Sequence, residues 1–120
     1  MADVPAARRA LLDLHRHLLQ AQRIEAERFS GRMTPGELLQ AAAADLRFAW
    51  LKELSELIAA LDQAQADEDA EASAALLARA RALLAPPDPD TPFGARYLRA
   101  LQDDPDVVLA HRDATAALAV

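Results

Sequence analysis

His15 and His17, two residues apart in a chain whose third histidine is His111, are the first groups to weigh as metal ligands or general bases. On a helix, residues two apart point about 160° away from each other. The pair therefore cannot chelate one ion from a single helix. His17 follows Asp13 by four residues, a spacing that gives a modest surface contact. His15 lies beside Leu11 and Leu19 at the border of an apolar face, where a boundary residue belongs more naturally than a ligand. His111 can meet either of them only through tertiary folding. A di-iron site in a helical bundle needs Glu followed three residues later by His, on two helices. None of Glu25, Glu27, Glu37, Glu53, Glu56, Glu68 or Glu71 has that partner. Neither a metal nor a cofactor is expected.

A hydrolase would need a nucleophile beside a base. The serines are Ser30, Ser55 and Ser73, and none sits in a glycine-flanked elbow. Ser55 falls inside a helical stretch, where its hydroxyl can bond back to a carbonyl. The absence of cysteine removes thiol nucleophiles, thiolate metal sites and disulfides. The acid pairs Glu53/Glu56 and Asp103/Asp104 read as solvated helix and cap residues. No catalytic constellation emerges, so the expectation is a non-enzymatic protein.

Three stretches can bind rather than react. In "RMTPGELLQ", residues 32–40, glycine could admit a ligand to the backbone. The same residues also make a helix start: Thr34 as N-cap, Pro35 at the first helical position, Glu37 completing a capping box. That reading explains every residue except Gly36, and a phosphate loop would need more glycines and a preceding strand. In "RFAW", Phe48 falls off the face that holds Leu54 and Leu61, so it suggests a contact patch beside Arg47, against the plainer reading of a wide buried face. In "ARYLRA", Arg96, Tyr97 and Arg99 can join Arg112 in a patch for a carboxylate, a phosphate or an acidic partner helix. The plainer reading is that these arginines neutralise the Asp-rich loops around them.

The elements that must position these groups are helices. Ala fills about a quarter of the 120 residues and Leu is next, while strand formers are scarce. One domain of this length buries roughly two thirds of its unfolded surface. The first helix is expected from about Pro5 to Phe29, with Ala7, Leu11, Leu14, Leu18, Ala21 and Ile24 on one face. Leu12 and Leu19 widen that face, and Gly31 ends the helix. A long apolar segment follows, with Leu38, Ala42, Leu46, Trp50, Leu54, Leu57 and Leu61 as its inward stripe. Asp45 interrupts it as a possible new N-cap, giving a kink or two abutting helices. A polar turn at 66–72 leads to a helix ending near Ala85, where "PPDPDTP" stops it. Thr91-Pro92 and Asp104-Pro105 start two more helices, the first holding Tyr97, Leu98 and Leu101, the second Val107, Val108, His111 and Leu118. The expected fold is all-α: a compact single-domain bundle of about four to six helices around a central apolar helix.

The net charge of −6 opposes binding to nucleic acid and to anionic membranes. No apolar run reaches the ~18 residues of a membrane span, and no signal peptide is evident. A cytoplasmic location is expected.

Taken together, "TPGELLQ", "DLRFAWLKELSELIAALD" and "YLRALQDDPDVVLAH" resemble a family of small uncharacterised bacterial helical proteins, over most of the chain from the first helix to His111. The resemblance implies a bacterial, soluble, stand-alone domain and brings no activity, ligand or catalytic residue with it. The functional expectation comes from the residues themselves. Leu39, Phe48, Leu51 and Ile58 fall partly outside the inward stripe, which points to a homodimer or another protein-interaction surface. The alternative is a small-ligand or regulatory domain with an inter-helix pocket lined by Trp50, Tyr97 and His15.

Overall fold

The computed structural model describes residues 3–119. Among them are six α-helices: α1 (Val4–Ser30), α2 (Pro35–Ala44), α3 (Lys52–Ala66), α4 (Ala70–Leu84), α5 (Pro92–Asp103) and α6 (Pro105–Leu118). A 3₁₀-helix, Leu46–Leu51, lies between α2 and α3. The bundle is all-α, and its centre is α1, which packs against α3, α4, α5, α6 and the 3₁₀-helix. At 1.5 Å per residue its 27 residues run about 40 Å, which sets the long axis of a 44 × 28 × 23 Å molecule.

Local chemistry starts these helices where the sequence suggests. Thr34 and Glu37 form the reciprocal capping box, with Glu37 N donating to Thr34 Oγ1 at 3.1 Å and Thr34 N to Glu37 Oε1 at 3.2 Å. The stretch 32–40 is thus a helix start. The loop in front of it is tied back to α1. Arg23 donates to the Met33 carbonyl at 2.8 Å, and Glu27 accepts from the Met33 amide at 2.7 Å. That amide, helped by Arg23, holds the Glu27 carboxyl below its usual range. Asp69, Thr91 and Asp104 cap α4, α5 and α6 in turn. Gly31, just past α1, has φ +78°, a backbone that side chains strain to adopt.

The buried stripe of α1 is Ala7, Leu11, Leu14, Leu18, Gln22 and Ala26, so it departs from the expected line beyond Leu18. Steps of four residues advance the face by about 40° each. The stripe therefore winds round the helix, and Ile24 is left largely exposed.

The larger correction is to the helical register of the segment 35–66, whose expected interruption at Asp45 is present. It breaks at Asp45, whose extended backbone (ψ 129°) ends α2, while its side chain accepts from Arg47 N at 2.8 Å. Arg47 also bonds the Asp45 carboxylate through its guanidinium and keeps it ionised to lower pH than usual. The helical phase restarts there. A 3₁₀-helix turns about 120° per residue, so residues three apart eclipse. Phe48, Leu51 and Leu54 line up and enter the core, Trp50 is half-buried, and Leu46 swings out to 90% exposure. The expected interaction surface is thereby overturned at three of its four positions. Phe48, Leu51 and Ile58 are core residues, and only Leu39, 74% exposed, remains on the surface. Trp50, expected as core, sits at its edge.

Candidate functional site

The fold gives partners to groups that the sequence left separate, and those partners decide what each group does. His15 Nε2 lies 2.9 Å from Ser55 Oγ, a nucleophile-to-base distance. The Ser55 hydroxyl, however, donates to the Leu51 carbonyl at 3.1 Å, the back-bond of a mid-helix serine. Its oxygen therefore accepts from His15 Nε2–H, the reverse of what an activated serine needs. Burial holds His15 below its ordinary pKa and neutral. The pair fastens α1 to α3. The three histidines do not share a partner: His17 faces Asp13 at 3.6 Å, and His111 Nδ1 lies 2.5 Å from the Tyr97 hydroxyl.

Tyr97 corrects the expected basic and aromatic patch, because it is fully buried. Desolvation pushes its phenol above the ordinary value and depresses His111. A neutral Tyr97 donating to a neutral His111 satisfies both. The ring belongs to an aromatic run that joins the 3₁₀-helix, α5 and α6. Trp50 meets Phe93 at 5.8 Å, Phe93 meets Tyr97 at 5.2 Å, and Tyr97 meets His111 at 5.4 Å. Arg112 lies on α6 beside Asp113 at 3.2 Å and is not among the residues lining the groove that holds Arg96 and Arg99.

Arg96 and Arg99 do come together. With α1 they wall a groove of about 240 Å³ between α1 and α5, whose edge is formed by Trp50. Glu25 faces Arg96 and Asp103 faces Arg99, each at 3.8 Å. Arg28, Ile24 and Ala100 complete much of the lining. Trp50 Nε1 donates to Gln22 Oε1 at 2.9 Å at this site. Gln22 was missed in the sequence. Its signal was a polar residue four positions after Leu18 and four before Ala26, on a line otherwise apolar. The cavity beside His15 is separate, lined by Leu19, Ala42, Phe48, Lys52 and Ser55 among others. Trp50, Tyr97 and His15 therefore do not converge on one pocket.

Comparison with protein-family models, with curated proteins and with solved structures finds no match for this chain. Among the described residues no helix is long and apolar enough to cross a membrane.

A second region stands out by exposure. Phe29 is 82% exposed, Leu39 74% and Leu46 90%, the three most exposed large apolar side chains described. All lie between the end of α1 and the start of the 3₁₀-helix. Arg47 Nη1 donates to Ser30 Oγ at 3.0 Å, so the neighbours Phe29 and Leu46 are held at the same end of the molecule.

Proposed function

We propose that this chain is a non-enzymatic helical interaction module that self-associates through the surface carrying Phe29, Leu39 and Leu46. The observation that carries the reading is the concentration of these side chains in one segment whose ends are tied by Arg47 and Ser30. Each large apolar side chain left in water forgoes roughly 1.5–3 kcal/mol of burial. A two-fold axis lets one such patch cover itself. The acidic balance supports a partner that is protein rather than nucleic acid or anionic membrane. A cytoplasmic location is part of the same proposal.

Sedimentation velocity at tens of micromolar tests it. The expected species is a dimer of the 13.0 kDa chain. The double variant Phe29→Glu, Leu46→Glu should sediment as a monomer with unchanged helicity, since neither side chain contributes to the core. A wild-type monomer across that range refutes self-association.

A further inference from the structure

The groove between α1 and α5 contains an amide whose second half is unused. Gln22 is only 3% exposed. The Trp50 indole nitrogen can only donate, so the atom 2.9 Å from it must be the Gln22 oxygen, and the orientation of the amide follows. The NH₂ group then faces away from the indole with two donors. Among the described residues it meets no acceptor, and the side chain lines the groove. Open to the groove, these donors are available to the acceptor of a bound ligand.

The surroundings say which acceptor fits. Arg28 has no ion-pair partner among the described residues, and Arg96 and Arg99 hold Glu25 and Asp103 only at 3.8 Å, which leaves guanidinium donors free. An amide NH₂ beside arginine forks matches a planar carboxylate, which takes paired N–H donors. Glu25, Asp103 and Asp104 on the same rim oppose a more highly charged phosphate. Trp50, Ile24 and Ala100 offer apolar walls. The volume of about 240 Å³ lies below the roughly 300–1,000 Å³ of pockets for drug-sized ligands.

We propose that this groove binds a small molecule bearing one carboxylate and a short apolar arm. The Gln22 amide and the guanidiniums of Arg28 and Arg99 bind the carboxylate, and the arm lies against Trp50. This site does not depend on self-association, and a monomeric protein would leave it intact.

Trp50 is the sole tryptophan, so intrinsic fluorescence reports on the groove directly. The full chain is titrated with acetate, hexanoate and 3-phenylpropionate, and with neutral 3-phenylpropionamide and inorganic phosphate. The expected result is a saturable fluorescence change with 3-phenylpropionate or hexanoate at millimolar concentrations or below. The Gln22 side-chain NH₂ resonances should shift with it in a ¹⁵N-correlated spectrum. The neutral amide should bind at least tenfold more weakly, and phosphate should not compete. Arg28→Gln with Arg99→Gln, both at exposed positions, should weaken carboxylate binding at least tenfold and leave the unfolding midpoint unchanged. No saturable change with any carboxylate overturns the proposal. So does equal binding of the amide, competition by phosphate, or an arginine variant that binds as well as the wild type.

Discussion

One added methyl group should destabilise the protein at Gly94 and stabilise it at Gly36, although both glycines lie in the first turn of a helix that opens with Thr-Pro. A Cβ on Gly94 would stand 1.8 Å from the Asp88 carbonyl oxygen and 2.8 Å from Thr91 Oγ1. Carbon and oxygen ordinarily meet no closer than about 3.3 Å, so the carbonyl would have to retreat by about 1.5 Å. That carbonyl accepts from Thr91 N at 3.1 Å and from Thr91 Oγ1 at 2.8 Å, and Thr91 Oγ1 in turn caps α5 through Gly94 N at 3.0 Å. Its displacement dismantles the turn. Overpacking costs about 1–3 kcal/mol, here at the upper end because the obstacle is backbone. Losing the cap adds about 1 kcal/mol, and the helix propensity of alanine returns at most ~1 kcal/mol. The net loss for Gly94→Ala is about 2–3 kcal/mol. At Gly36 a Cβ meets nothing within 4 Å, so Gly36→Ala should gain about 0.4–1 kcal/mol. Urea unfolding followed by far-UV circular dichroism reads both. A Gly94→Ala variant as stable as the wild type, or a Gly36→Ala variant that loses stability, would refute the reasoning.

Phe48→Ala should lose about 3–5 kcal/mol, whereas Leu39→Ala should stay within about 0.5 kcal/mol of wild type. Urea midpoints at concentrations low enough to keep the chain monomeric check the contrast, and the reverse order would restore Phe48 to the surface. The depressed His15 and His111 give stability a definite pH sign. The unfolded chain takes up protons near pH 6.5 and the folded chain only below that, so stability is full above about pH 7 and falls as the pH drops through about 6.5. Unfolding midpoints from pH 8 to 5 should show this decline, and it should flatten when both histidines are replaced by asparagine.

Much of the fold was legible because its signals are local. Thr34, Pro35 and Glu37 settle the start of α2 among themselves, within one turn, and the prolines after Thr91 and Asp104 do the same for α5 and α6. Ala and Leu at helical spacing made the class all-α before any packing was considered. The register from Leu38 to Leu61 was not legible. Carrying 100° per residue across Asp45 put Leu46 inside and Phe48 outside, and the fold has them the other way. A capped break and six residues of 3₁₀-helix reset the phase there, and the sequence carries the break without its consequence for direction. The site divides in the same way. Composition and spacing picked out Arg96, Arg99 and Trp50 as groups able to bind. That Tyr97 is buried against His111, that Arg112 lies elsewhere, and that Gln22 turns one end of its amide to Trp50 and the other to the groove were decided by tertiary packing. Periodicity assigns a residue to a face of its own helix, but only the neighbouring helices decide whether that face meets the core, another side chain or water.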